Sequence, residues 1–240
     1  NLFIKNLFLF HEKSNYSGKS EISFLKEKIN IKYNVNKDKI FIKPLDEIKK
    51  QEIKILSNIE LNPFYFDSVI EFSNKNSKFL IDNFLNYLIN LNEEILGNIN
   101  GKIFVKLKNL DNEIIDSGIM NIVINEKSLK IENTRLEINK IGFIKSNFDF
   151  YEKQGELIFK SKNVLEITNK KEFSKKFQLN LKKAEKVNKI YFDLEKNIEK
   201  DKFFISNIYV NKIDVEQKYK EPNYLKNMQI MKSLLNDILN

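Results

Sequence analysis

The chain has 240 residues, of which 42% are hydrophobic, so it is long enough for one large β-rich domain or two modest ones. It contains no cysteine, which excludes disulfides, thiolate metal sites and cysteine nucleophiles. The formal net charge is +8, but Arg135 is the only arginine and the lysines alternate with acidic residues. This mixed pattern is typical of a solvated surface, so we expect no nucleic-acid partner.

Apolar and polar residues alternate along most of the chain, with the period of two that is typical of strands having one buried face. In the first third, this alternation predicts six strands, at 2–10, 20–25, 28–35, 39–43, 52–60 and 64–72. Pro63 is expected at a strand start or edge, because proline has no N–H to donate to a sheet.

A helix is predicted over 78–96, with Ser77 as its N-cap and Gly97 after its last turn. Leucine, isoleucine and phenylalanine residues recur at helical spacing on one face, and Asp and Asn occupy the other. We expect the apolar face of this helix to pack on the sheet. A membrane-surface role is the alternative, but the polar face lacks the lysines that such helices favour.

The alternation then resumes and predicts strands at 99–109, 114–125, 128–132, 134–139, 141–151, 155–162, 189–196 and 202–212. Short helices are predicted over 171–177, with Asn169 as a candidate cap, and over 223–239. The predicted fold class is mainly β (β-rich α+β), with a long, antiparallel, twisted and groove-like sheet. We expect one continuous unit over 1–240, with a division into 1–97 and 98–240 as the alternative.

The sequence contains no pattern that indicates catalysis, a cofactor or a metal site. His11 is the only histidine and is expected in a polar turn at the surface. No G-x-S-x-G motif, P-loop or G-x-G-x-x-G motif occurs. We therefore expect a non-enzymatic protein. The 20 phenylalanines fit either a packed core or a lining for apolar ligands, and alternation alone does not separate the two.

Several loosely spaced segments resemble a known family. They are the strand entry 97–103, the segment 118–124, the segment 131–137, Gly142, the hairpin end 154–159 and the closing strand 203–211. Together, Glu94 to Val215 resembles the C-terminal region of AsmA-like (TamB-like) proteins of the bacterial cell envelope, of the type found in AT-rich α-proteobacteria. The segment 59–100 also fits that pattern. The likeness consists of strand rhythm and a few glycines, and it includes no catalytic residue.

The resemblance implies that the chain is the C-terminal part of a longer periplasmic protein, tethered to the inner membrane by a segment upstream. Such proteins have a β-groove with an apolar interior, and they act in lipid transport or outer-membrane biogenesis and upkeep. The expected partner is therefore a phospholipid or another acyl-chain lipid, and envelope membrane proteins are further candidates.

Residues of two strands are the candidates for the lining of such a groove, because they alternate with polar residues. They are Ile103, Val105, Leu107, Met120, Ile122 and Ile124. The alternative function is a structural or adhesive β-domain that binds another protein through an edge strand or a helix face.

Overall fold

The structure, a computed structural model, describes residues 2–12, 15–24, 27–45, 52–73, 99–110, 115–125, 128–153, 156–197 and 202–214. This part of the chain is mainly β, and the predicted fold class is confirmed. The strands are β1 (Leu2–Glu12), β2 (Asn15–Phe24), β3 (Glu27–Asn36), β4 (Lys39–Pro44), β5 (Ile53–Leu61), β6 (Phe64–Ser73), β7 (Gly101–Lys108), β8 (Ile115–Asn125), β9 (Ser128–Ile138), β10 (Gly142–Lys153), β11 (Glu156–Ile167), β12 (Lys189–Asn197), β13 (Lys202–Val210) and β14 (Ile213–Asp214).

The chain divides into two compact units, Asn1–Leu129 and Lys130–Asn240. In the first unit, the strands lie in chain order from β1 to β8. Every neighbouring pair from β1 to β6 is antiparallel, as is the pair β7 and β8, whereas β6 and β7 are parallel. A parallel pair requires a crossover connection, and here that connection is residues 74–100. The helix predicted over 78–96 lies outside the described residues.

The second unit also follows chain order, from β9 to β14, and all its strand pairs are antiparallel. Two helices, α1 (Lys170–Phe177) and α2 (Leu181–Ala184), connect β11 to β12. The Asn169 side chain accepts a hydrogen bond from the backbone N–H of Glu172, which confirms the predicted cap. The helix predicted over 223–239 lies outside the described residues.

The burial of two aromatic side chains stabilises helix α1. Phe173 and Phe177 are buried on the same side of the helix, one turn apart, and their ring centroids are 5.3 Å apart. Helix α2 was not predicted, because four residues are too few to show a helical period. Among the described residues, no helix is long and apolar enough to cross a membrane.

Three of the strand predictions are wrong. Strand β2 begins at Asn15 instead of residue 20, because the polar segment 15–19 carries little apolar alternation yet pairs fully with β3. Strand β11 extends to Ile167 instead of residue 162. The strands predicted at 128–132 and 134–139 are a single strand, β9, which contains a bulge.

The bulge in β9 lies at Asn133, whose φ is 50°. The pairing register with β10 shifts between Ser146 and Phe148, opposite this residue. A bulge adds one residue to one strand and so interrupts the two-residue alternation, which explains why the sequence indicates two strands. His11 was expected in a polar turn, but it lies within β1 and opposite Tyr16 in β2.

Gly142 permits a close approach of two backbones at the start of β10. A Cβ atom at this position would lie 2.0 Å from the carbonyl oxygen of Glu166 in the neighbouring strand β11. Backbone atoms cannot move away as a flexible side chain can, so the strands would have to separate locally.

We predict that Gly142→Ala lowers the free energy of unfolding by about 1–3 kcal/mol, the typical cost of overpacking. The measurement is urea denaturation followed by circular dichroism. Lys162→Ala, at an exposed position of β11, serves as the control and should change stability by less than about 0.5 kcal/mol. Equal stability of the two variants would contradict the close approach at Gly142.

Candidate functional site

The six residues predicted to line a groove lie together on one face of two paired strands. Ile103 in β7 lies opposite Ile122 in β8, and Val105 lies opposite Met120. Directly paired residues share a face of the sheet, and so do alternate residues along one strand. Leu107, two residues after Val105, and Ile124, two residues after Ile122, therefore belong to the same surface. The structure therefore brings all six side chains together.

All six side chains are buried, with exposed fractions between 0% for Ile122 and 8% for Ile103. They belong to a packed interior in this structure. An acyl chain would contact them only by taking the place of the groups that now cover them.

The same face continues across the first unit beyond the predicted residues. In β6, Ile70 and Phe72 lie beside Val105 and Leu107, and Phe72 in turn lies opposite Ile53 in β5. We call this surface the apolar face of the first unit. Its buried hydrophobic members are Ile29, Ile31, Ile53, Phe72, Ile103, Val105, Leu107, Met120, Ile122 and Ile124. The members in β3, β5 and β6 were not among the predicted lining residues, although the same alternation marks them.

One polar pair interrupts this face. Ser57 in β5 and Ser68 in β6 are both buried and directly opposite, and their hydroxyl oxygens are 2.6 Å apart. Each hydroxyl therefore has a hydrogen-bond partner in the neighbouring strand. This pair is satisfied only in the observed register, because a shift of one residue would turn one serine to the other face.

The second unit has an apolar face of its own, and a row of polar side chains crosses it. The buried hydrophobic members of this face in the strands are Ile131, Ile138, Leu165, Ile167, Ile190 and Ile208. The Ser146 hydroxyl donates to Oδ1 of Asn163 at 2.7 Å. The amide nitrogen of Asn163 donates to the Ser161 hydroxyl at 2.9 Å and to the Phe192 carbonyl at 3.3 Å. Asn163 thus links β10, β11 and β12.

Thr134 extends this polar row into β9, directly opposite Ser146. Its side chain is 1% exposed. Within the part of the chain that the structure describes, its hydroxyl oxygen has no hydrogen-bond partner. A buried hydroxyl without a partner is unfavourable, because it loses its hydrogen bonds to water and gains none.

In each unit, the face opposite the apolar face is charged. In the first unit, Glu21 pairs with Lys28 at 3.0 Å, Glu60 with Lys39 at 2.7 Å and Glu71 with Lys108 at 2.8 Å. These ion pairs join neighbouring strands at the surface. Exposed pairs of this kind contribute at most about 1 kcal/mol each, so their main effect is to keep this face in water.

In the second unit, Glu166 lies between two lysines, with Lys145 at 2.9 Å and Lys189 at 3.3 Å. The hydrogen bond from Lys145 lowers the pKa of Glu166, and the contact with Lys189 acts in the same direction. Partial burial opposes them but does not cancel their effect. Nearby, the Arg135 guanidinium stacks on the Phe143 ring at 3.7 Å and its Nε donates to Glu137 at 2.7 Å.

The described residues include no group of three or more His, Asp or Glu side chains that could hold a metal ion. The faces instead offer two physical properties, a broad apolar surface and a charged surface on its reverse. Such an arrangement can separate apolar from aqueous environments. Comparisons with protein-family models, with curated proteins and with solved structures find no match for this chain.

We predict that Thr134→Val raises the free energy of unfolding by about 1 kcal/mol, because a methyl group replaces a buried hydroxyl that lacks a partner. Ser146→Ala, in the facing strand, should lower it by about 1–3 kcal/mol, since it leaves a hydrogen-bond acceptor of Asn163 unpaired. Urea denaturation measures the free energy of unfolding of each variant, which should rise for Thr134→Val and fall for Ser146→Ala. Destabilisation by Thr134→Val would show that the hydroxyl is satisfied in solution.

The lowered pKa of Glu166 predicts a dependence of stability on pH. In the unfolded chain, glutamate has a pKa of about 4.3, and the folded value is lower. The ionised form therefore stabilises the fold above the unfolded pKa, and this contribution is lost as the pH falls through the folded value. We expect the stability difference between the native chain and Glu166→Gln to shrink between pH 5 and pH 3. A constant difference, measured by urea denaturation across this range, would contradict the assignment.

Proposed function

We propose that this chain is a non-enzymatic lipid-binding domain of the bacterial cell envelope, of the AsmA-like type. It holds acyl chains along the apolar face of the first unit and serves lipid transfer or outer-membrane maintenance. Its place is the periplasm, tethered to the inner membrane by a segment upstream of this chain.

The observation that carries the proposal is the breadth of the apolar face. Adjacent strands are about 4.8 Å apart, so the five intervals from β3 to β8 span about 24 Å. One leaflet of a bilayer contributes about half of the roughly 30 Å hydrocarbon core, or about 15 Å. Once the groups that now cover it are displaced, a face of this width is broad enough to support an acyl chain along its whole length.

The chemistry of the face also favours this function. Burying a methylene group contributes about 0.8 kcal/mol wherever the surface is apolar. Acyl-chain binding therefore requires area and many interchangeable aliphatic side chains, and it requires no particular reactive group. The aliphatic residues of β7 and β8 meet this requirement. The lipid head group would stay in water at the rim.

We predict that the purified 240-residue chain, expressed in a bacterial host, carries phospholipid at a defined ratio. Native mass spectrometry with lipid extraction measures this ratio. Photo-crosslinking with a diazirine-labelled phospholipid then locates the acyl chain, and we expect crosslinks on Gly101–Lys108 and Ile115–Asn125.

A matched pair of variants in β8 tests the location. Ile122 belongs to the apolar face, whereas Ile119 lies on the other face and is 37% exposed. Per folded molecule, as judged by circular dichroism, Ile122→Ala should reduce crosslinking several-fold and Ile119→Ala should not. A lipid-free chain that melts cooperatively would overturn the proposal and favour the alternative, a structural or adhesive β-domain that binds a protein.

A further inference from the structure

One row of residues on the charged face of the first unit carries amides and an aromatic ring instead of charged pairs. Asn34 in β3 lies directly opposite Phe41 in β4, and Phe41 lies directly opposite Asn58 in β5. Ser17 in β2 extends the row beyond Asn34, and Asp67 in β6 ends it beyond Asn58. Because adjacent strands are about 4.8 Å apart, the row places one amide residue on each side of Phe41.

Apolar side chains lie beside these amides. Phe41 is 46% exposed, and Leu56 in β5 is 55% exposed. Val69 in β6 lies directly opposite Leu56. Large apolar side chains lose free energy by leaving water, so a group of them exposed on an otherwise polar face indicates a contact surface for a ligand.

Two adjoining clefts are built on this surface, and they share Asn34 and Phe41. The larger has a volume of about 500 Å³, and its lining includes Asn34, Phe41, Leu56, Asn58, Asp67 and Val69. The smaller has a volume of about 350 Å³, and its lining includes Asn15, Ser17, Asn34, Asn36 and Phe41. Both volumes lie within the range of about 300–1,000 Å³ that is typical of small-molecule sites.

The charges around the clefts favour a neutral ligand. As far as the described residues line it, the smaller cleft has no charged side chain. The larger cleft includes Lys32 and Lys43 but also Asp67, and Lys32 already has an interaction partner of its own. A lining of mixed sign gives little net attraction for an anion or a cation. Recognition therefore depends on hydrogen bonds and apolar contact.

A sugar has the chemistry that matches this lining. An asparagine side chain has a donor and an acceptor next to each other, so it can bind two neighbouring sugar hydroxyl groups at once. The C–H groups on the face of a sugar ring are apolar and slightly positive, and the face of an aromatic ring is negative. A sugar ring is thus an apolar face with a polar rim. The larger cleft has the complementary arrangement, with Phe41 and Leu56 between Asn34, Asn58 and Asp67.

We propose that this surface binds a neutral oligosaccharide of at least two sugar units. One unit lies in the larger cleft against Phe41 and Leu56, and its hydroxyl groups form hydrogen bonds with Asn58 and Asp67. The next unit lies in the smaller cleft, and Asn34, which lines both clefts, binds between the two. The site is on the reverse of the apolar face, so it is independent of the lipid-binding function proposed above and stands whether or not that face holds lipid.

Saturation-transfer-difference NMR on the full 240-residue chain tests the proposal with three neutral probes, maltotetraose, cellotetraose and N-acetylated chitotetraose. We expect at least one of them to bind, with the strongest saturation at the C–H protons of one sugar face. Isothermal titration calorimetry then measures the affinity, and we expect one molecule per chain. The affinity should change little as salt rises, because the ligand carries no charge.

Substitutions at exposed positions test the ring and the amides separately. Phe41→Ala should weaken binding by about tenfold or more, and so should Phe41→Leu, which keeps apolar volume but removes the ring. Asn34→Ala and Asn58→Ala should each weaken it several-fold. Phe64→Ala removes a ring that is 41% exposed but lines neither cleft, so this matched control should leave the affinity unchanged. Thermal melts verify that each variant folds.

Three results would overturn the proposal. Failure of all three saccharides to bind at millimolar concentration would exclude a site for neutral sugars. Equal affinity of the native chain and both Phe41 variants would exclude recognition by the ring. Tighter binding of tetraglycine than of any of the saccharides would show a site for extended peptides instead. None of these results bears on phospholipid bound at the apolar face.

Discussion

The register of the strand pairs is the constraint on which the rest of this structure depends. In each hairpin, apolar residues lie opposite apolar residues, as Ile22 does with Ile29 and Ile40 with Ile59. A slip of one residue in any pair would move an entire strand's aliphatic side chains into water. The apolar face and the charged face exist only because these registers hold from one strand to the next within the unit.

Polar groups within the apolar faces restrict the strand pairs to this register. The hydroxyl pair Ser57 and Ser68, and the hydrogen bonds of Asn163 to three strands, are satisfied in one alignment only. Aliphatic side chains alone would tolerate several alignments, since any apolar neighbour serves them equally well. The buried polar groups therefore contribute specificity of pairing in addition to whatever stability their hydrogen bonds provide.

The sequence predicted the strands and the Asn169 cap well, because both depend on local patterns. It predicted that Ile103, Val105 and Leu107 share a face, which follows from alternation alone. It left open whether that face lines a groove or packs as a core. It did not predict the parallel pairing of β6 with β7, because alternation within a strand does not indicate which strands pair or in which direction. The buried polar groups were missed for a related reason. Ser146 and Asn163 are distant in sequence, and only the register of β10 with β11 places them opposite each other.

The order of the strands has a consequence for how each unit folds and how it can change. Most contacts between strands join strands that follow each other in the chain. The longest connection between two successive strands is the crossover from β6 to β7. Pairing between successive strands requires the closure of short loops only, which favours folding outward from any one hairpin. Energetically, each unit resembles a linear array in which a strand interacts with its immediate neighbours. Insertion or loss of a whole hairpin preserves the direction and the facing of every following strand, so sheets of this type can vary in length during evolution while both faces keep their character.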